Sequence, residues 1–514
     1  MQLQLKKEKH MIDRYSDPRI TEIWSLEQKF QLWQTVELAV IEARELLEMI
    51  PLGTFSAIAS VLDNNPISIE FIDEREKVLW HDLNAFIDER LRFMKDKPEL
   101  QAEFHRNMTS YDTEEAAFAM NLQKSLDVVL PEARMLLKAL KKQAIKYRYT
   151  PMSARTHGQE AEMQSFGKRC LAWYVELEVA VGAIVKSQDN LSFSKLSGAI
   201  GTNSGIDPAL EETALKILGF ERFVGATQIM PRVLYSPIAS ALADLVMVVD
   251  KIANDIRLGA RSGNPLWHEP FGKQQKGSSA MPHKKNTIVT EQIEGMARMA
   301  RNYAAGIQEN IKTWEERSIE QSSVERVSWP DLFHVTIRTI GNLTKVINGL
   351  VVYPDHMLSE LVMLRGCYAS NEAKETLLEL GTPFGLIREE AYRIVQLACF
   401  NVFEPKEAGI KNIRENPPGS LDDADGSLRS IRSIVLERNM GKHLLSIEVV
   451  IKNAELHTSP QLEASEQTVE QWNGKLRSIF NQSFPDHWAK WGEIFRPSHI
   501  LANEVDLFKR TFGI

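Results

Sequence analysis

The chain has 514 residues, too many for one simple core, and its apolar (43%) and charged (25%) fractions are those of a globular protein. With 61 basic against 69 acidic side chains the formal charge is −8, which argues against non-specific nucleic-acid binding but leaves room for a local basic pocket holding a small anion. Three cysteines without a CxxC pair, Cys170, Cys367 and Cys399, point to a reducing compartment and to buried thiols.

Along the chain, the opening "MQLQLKKEKHM" is charged and lacks the apolar core of a secretory signal. No apolar run reaches the ~18 residues a bilayer span needs, so a cytoplasmic location is expected. Patterned sequence starts at Met11. In "ARTHGQEAE" (154–162) His157 sits beside Arg155 and Thr156, just before a helix expected from about Ala161. Phe166, Cys170, Trp173, Leu177, Val181 and Ile184 would form one face of that helix. A histidine at a helix start feels the positive end of the dipole, and with an opposing carboxylate it is a candidate general acid. The plainer alternative is a capping or core histidine. "GAIGTNSG" (198–205) is Gly-rich but lacks the Lys-Ser/Thr of a phosphate-binding P-loop, and reads as a loop.

From Ser236 to Leu258 the apolar positions Ile238, Leu242, Leu245, Val249, Ile252 and Ile256 recur at steps of 4, 3, 4, 3, 4, the seam of a long bundle helix. Val246 and Val248 lie off that seam and suggest a second apolar face used in oligomerisation. "GSSAMPHKKN" (277–286) follows, a helix-breaking, cationic run with two small hydroxyls. A further helix is expected from Thr287 to about Ile311. In "WEERSIEQSSVER" (314–326), Arg317 and Arg326 would face opposite ways on a helix, so a loop is needed if both are to hold one anion. Pro330 suits the first turn of a third seam helix carrying Phe333, Ile337, Ile340, Leu343 and Ile347, which Pro354 ends. "NPPGSLDDADGS" (416–427) reads as a polar loop.

The expected fold is therefore all-α, around a central bundle of long helices. Domain boundaries are placed to give 1–120, 121–365 and 366–514. The twelve histidines show no HExxH and no zinc spacing, and there is no GxSxG elbow, so neither a metal nor a cofactor is expected.

Taken together, these stretches resemble a known family. "GSSAMPHKKN" is similar to the SSxMPxKxN signature of the fumarase/aspartase superfamily, with all of its fixed positions present. Within it the best resemblance, over roughly residues 11–400, is to the adenylosuccinate lyases. "MIDRYSDP" looks like that family's opening and gives Arg14 and Tyr15 as phosphate contacts. "HDLNAF" gives His81 and Asp82, and "HRNMTSYD" gives His105, Thr109 and Ser110. "RTHGQEAEMQSFG" gives Thr156 and the general acid, His157. Gln228 follows from "TQ" at 227–228, and Arg317, Ser322 and Arg326 from the phosphate-gripping segment. Glu291, seven residues past Lys284, falls where the family's His-orienting carboxylate lies. The departures are Asn107 for a usual Gly, Met163 and Thr287 at places where Pro is common, Trp80 for a usual Arg, and the altered "IMPRVLY" (229–235) and "ASNEA" (369–373).

The resemblance implies a three-domain chain whose bundles form a homotetrameric core with shared sites. It implies release of fumarate from N6-(1,2-dicarboxyethyl)AMP and from the succinyl-aminoimidazole carboxamide ribotide of purine nucleotide synthesis. Ser278 would be the base, Lys284 and Asn286 would stabilise the dianionic intermediate, and Thr109, Ser110 and Gln228 would hold the succinyl carboxylates. The altered segments favour a related fumarate-releasing lyase acting on another succinylated amine; the retained phosphate grip opposes it. A catalytically dead helical scaffold is the third reading, and the presence of His157 and Ser278 argues against it.

Overall fold

In the computed structural model all six seam residues of the helix Ser236–Gly259 are withdrawn from solvent, as the 4-3 spacing requires. The structure describes residues 11–364, 366–403 and 466–514; the 416–427 segment read as a loop lies outside them. The described chain is dominated by helices, with three two-stranded sheets among the described residues. Its described residues group into two compact units. The first draws on Met1–Leu140, Trp173–Leu258 and Glu269–Leu350, and the second on Lys141–Ala172, Gly259–His268 and Val351–Ile514.

The first unit carries the long helices. Ser110–Lys146 starts there, and Ile288–Glu309 packs along Glu320–Asn348. Phe333, Ile340, Leu343 and Ile347 are fully buried, the face read from sequence. Trp173 is buried too, and its indole donates to Asp255 (2.8 Å), so the large ring brings its polar atom a partner. An aromatic cluster of Phe30, Trp33, Phe86 and Phe104 fills the N-terminal part of this unit.

Three sequence expectations change here. Val246 is fully buried within the chain, so it belongs to the core and not to a second exposed face. Pro330 lies inside the helix Glu320–Asn348, not in its first turn. A proline there takes away the N–H that would bond the carbonyl of Arg326 four residues back. The preceding turns, with Ser322, Glu325 and Arg326, thus form the opening segment of that helix. The helix that includes Arg232–Gly259 is also apolar and long enough to cross a membrane by composition alone; the buried seam of a core helix meets the same criterion.

In the second unit, Pro151–Thr156 and Gln159–Ser165 form an antiparallel hairpin, with Pro151 opposite Ser165 and Thr156 opposite Gln159. The helix expected from Ala161 therefore begins only at Phe166. Ser165 binds Glu504 through its backbone N–H (2.9 Å) and its hydroxyl, which fixes the strand end. A core of Leu377, Ile479, Trp472, Trp491 and Phe495 closes this unit. Cys170 and Cys367 are buried, and burial pushes the Cys170 thiol up.

Candidate active site

The run 277–286 is folded back on itself. Asn286 Nδ2 donates to the carbonyl of Gly277 (2.7 Å), tying the two ends of the loop together. Any side chain at Gly277 would meet the Lys284 carbonyl at 1.9 Å, so only glycine permits this crossing. Within the loop, Ser278 Oγ accepts from the backbone N–H groups of Ala280 (3.3 Å) and Met281 (3.0 Å). Two donors aimed at one hydroxyl oxygen favour its deprotonated form, the condition under which a serine becomes a base. Lys284 is exposed, and its own N–H turns back to the Met281 carbonyl (3.0 Å).

Glu269 closes the base of this loop. Its buried carboxylate accepts from Val289 N (3.2 Å), Thr290 N (3.0 Å) and Thr290 Oγ (3.0 Å), capping the first turn of Ile288–Glu309 from the far side of the loop. Glu269→Ala should leave those donors unpaired at a cost of about 1–2 kcal/mol. We expect tryptic cleavage at Lys273 and Lys276 to accelerate in the variant; an unchanged cleavage rate would show that the loop is held by other contacts. Glu291, in the same turn, faces Arg257 at 3.7 Å.

A cavity of about 590 Å³ lies within the first unit, its wall including Lys29, Asp82, Glu114, Ser322, Glu325 and Arg326. Asp82 opens the helix Asp82–Leu91 and is nearly buried. Its Oδ2 accepts from Lys29 Nζ and from Arg326, both at 2.8 Å, and its Oδ1 from Leu83 N (2.9 Å). Burial alone would raise its pKa; the Lys29 and Arg326 charges and these bonds outweigh burial and hold the carboxyl well below the usual range. Ser322 is buried in the same wall. His81, more exposed, caps the helix through Nδ1, which accepts from Asn84 N (3.4 Å). Before it, Trp80 holds a left-handed backbone (φ 55°) and leaves its indole almost wholly exposed.

Arg317 precedes the helix, so Arg317 and Arg326 are not on one helical face; the loop expected over this stretch is only the part before Ile319. Arg317 donates to Gln228 Oε1 (2.9 Å), and its guanidinium lies 4.0 Å from the Tyr111 ring centre. Its Nε is buried without a hydrogen-bond partner. Gln228 Nε2 donates in turn to Ala199 O (3.0 Å), on the Gly-rich 198–205 loop. That loop is held from beneath by buried Lys195, 2.8 Å from Asp112.

Thr109 and Ser110 stand at the start of Ser110–Lys146, where Asp112 Oδ2 accepts from Thr109 N (2.9 Å). His105 Nδ1 is 2.7 Å from Glu37. Asn107 has φ 63°, a backbone region that asparagine tolerates best after glycine, which accounts for Asn where the family usually has Gly. Arg14 and Tyr15 form a turn before the helix Pro18–Ile23, and Asp17 N donates to His334 Nδ1 (2.9 Å).

In the second unit, His157 is at the tip of the hairpin, with φ 54°, followed by Gly158 at φ 76°. Two successive left-handed residues make the turn type that tight hairpins use. His157 and Thr156 are exposed there, and Arg155 donates to Glu360 (2.7 Å). The expected helix dipole does not act on this imidazole, because the helix starts nine residues later.

The residues missed from sequence are Lys29, Tyr111, Glu114 and Arg232. A lysine inside the apolar run "FQLW" neighbourhood and a glutamate four residues after Ser110 were the signals available.

The family described as Lyase matches residues 13–301. The adenylosuccinate lyase of Synechocystis sp. is 35% identical over 386 residues, 75% of this chain and 87% of that protein. Those of Aquifex aeolicus and Thermotoga maritima are 33% and 35% identical, each covering 79% of this chain and 92% of the relative. The chain belongs to the adenylosuccinate lyase family. The fold agrees: a fumarate lyase from Mesorhizobium sp. BNC1 superposes with TM-score 0.67 at 19% identity, over 94% of this chain and 98% of that one. A β-carboxy-cis,cis-muconate cycloisomerase from Acinetobacter calcoaceticus gives 0.66 at 17%, over 93% and 97%. Within the adenylosuccinate lyase family frame, the altered "IMPRVLY" segment is largely core. Ile229, Met230 and Tyr235 are buried and Arg232 is spent on Glu115 and Glu325. In "ASNEA", Ala369 and Ala373 are buried and Glu372 pairs with His499 (2.6 Å).

Proposed function

We propose that this chain is an adenylosuccinate lyase. It would cleave N6-(1,2-dicarboxyethyl)AMP to AMP and fumarate, and the succinyl-aminoimidazole carboxamide ribotide in the same way. The observation that carries this reading is the 277–286 loop, tied by Asn286 to Gly277 and aiming two backbone N–H groups at Ser278 Oγ.

Ser278 as alkoxide takes the proton from the succinyl carbon beside a carboxylate. The electron pair left behind moves into that carboxylate, giving a dianion that Lys284 and the free hydrogen of the Asn286 amide stabilise. The pair then returns to form the C=C bond of fumarate as the C–N bond breaks, and His157 gives a proton to the departing nitrogen. Glu291 orients His157, while Thr109, Ser110, Thr156 and Gln228 hold the succinyl carboxylates. Arg14, Tyr15, Arg317, Ser322 and Arg326 take the phosphate, with His81 and Asp82 at the edge of the nucleotide. Arg326 exchanges Asp82 for a phosphate oxygen, and Arg317 Nε, buried and unpartnered, supplies a further donor.

The remaining parts of the reading are a homotetramer with shared sites, a three-domain division at 1–120, 121–365 and 366–514, and a cytoplasmic location. The polar-to-apolar change in 229–235 falls largely on buried residues, Ile229, Met230 and Tyr235 among them, and so does not favour another succinylated amine. The test is fumarate release by the purified chain from adenylosuccinate, with argininosuccinate and aspartate as controls. Release from adenylosuccinate alone is expected; a folded oligomer that releases none would redirect the reading to another succinylated, phosphate-bearing amine.

A further inference from the structure

We propose that Glu114 is a specificity-determining residue of the anion grip: a carboxyl group that keeps its proton beside Arg326 and donates it, in a hydrogen bond, to the phosphate of the bound nucleotide. The inference rests on the reading above, in which Ser322 and Arg326 hold that phosphate.

The helix Ser110–Lys146 puts Glu114 one turn beyond Ser110, on the same face. It shares the cavity wall with Lys29, Asp82, Ser322 and Arg326. Counting charges around it shows why its protonation matters. Arg232, also in the wall, is already spent on Glu115 and Glu325. That leaves Lys29 and Arg326, both held by the single carboxylate of Asp82. With Glu114 neutral, this group carries one net positive charge and gains an O–H donor in the wall of the cavity. With Glu114 ionised, that net charge is cancelled and a second carboxylate joins Asp82 beside Lys29 and Arg326. Arg317 adds charge from the segment before the helix, Asp73 and Glu76 line the cavity from Ile69–Leu79, and Tyr111 lines it from Glu114's own helix.

The surroundings favour the neutral form. Burial first, and then the ionised Asp82, push Glu114 up to about 7, against the pull of Lys29, Arg326 and Arg317. A phosphate dianion within hydrogen-bond reach adds to that push. The sign follows directly. Below pH 7 the proton is already in place and binding is strong; above it, binding must first take up a proton, so affinity falls as pH rises.

The experiment is calorimetric titration of the full chain with AMP at pH 6 and pH 8, in two buffers of different ionisation enthalpy. AMP is a dianion at pH 8, its second phosphate pKa being about 6, so protons taken up there go to the protein. The wild type should take up most of one proton at pH 8 and bind roughly tenfold more weakly than at pH 6. Glu114→Gln, which keeps a donor but cannot ionise, should take up none at pH 8 and bind at the two pH values with affinities that differ by no more than the roughly twofold change from titration of AMP itself. No proton uptake by the wild type, no AMP binding at either pH, or the wild-type pH dependence persisting in Glu114→Gln would each overturn the proposal. The wild-type measurement needs no variant to fold. Fumarate release from adenylosuccinate is a separate readout, so failure of the proposed reaction is distinguishable from failure of this inference.

Discussion

Replacing Ser278 with alanine is expected to lower kcat for fumarate release by roughly a hundred- to ten-thousand-fold, the usual contribution of a positioned base. Folding and assembly should be unaffected. The side chain lies in a loop, and the bonds it loses are two backbone N–H groups of the same loop, which water can satisfy. Elution volume in size-exclusion chromatography checks the second half of the statement and steady-state fumarate absorbance the first. Near-native turnover would remove Ser278 from the role of base. For His157 the better variant is asparagine, not alanine. The residue has φ 54°, where asparagine sits at little cost and alanine adds about 1 kcal/mol of backbone strain to the chemical defect. His157→Asn should reduce turnover by a comparable factor. If the sites are shared between copies, mixing and reassembling the Ser278→Ala and His157→Asn proteins should recover part of the activity that neither has alone. Recovery that never rises above the sum of the two would argue that each site is built within one chain.

The parts of this fold that the sequence made legible are those where burial has a single period. The seam from Ile238 to Ile256 is readable because a long helix with one buried face repeats its demand every three or four residues. The hairpin was not, for a local reason. "QEAEMQS" is made of good helix formers, and nothing inside those seven residues signals that its partner is the preceding strand. The signal was in the turn: His157-Gly158 supplies the two left-handed residues that a two-residue hairpin needs. The same misreading placed His157 at a helix start, whereas it lies at the tip of a hairpin, away from any helix dipole. Pro330 misled because first-turn preference is a statistic, whereas a buried bundle helix tolerates an interior proline by bending. The signature loop was legible because its residues act on one another: Gly277, Ser278, Met281, Lys284 and Asn286 are joined by bonds spanning no more than ten positions. The cavity was not, because Lys29, Asp82, Glu114 and Arg326 are far apart in the chain and their charges acquire meaning only in contact.

Arg232→Met should cost about 3–5 kcal/mol, the penalty for leaving buried carboxylates without their cation. Sequence reading saw this residue only as part of a segment that had lost its polar pattern. In the structure it is almost fully buried, bonded to Glu115 and to both oxygens of Glu325 (2.8 and 3.1 Å), with the Tyr235 hydroxyl on Glu115 Oε2 (3.2 Å). Burial opposes the guanidinium charge, but the two carboxylates outweigh it and hold the group protonated. Methionine nearly matches the stem and removes the charge, so Glu115 and Glu325 must either stay ionised and buried without their cation or take up protons. Glu325, which burial already pushes up, would then rise further above its value in the unfolded chain. The stability it contributes as a neutral acid is present at low pH and lost as pH rises. The deficit of Arg232→Met in the urea midpoint should therefore be small near pH 5 and grow toward pH 8. Adding Glu115→Gln and Glu325→Gln should flatten that pH dependence, because neither amide can ionise. A deficit that is equal at both pH values would mean the loss is one of packing, and that the buried charges are solvated by some other route.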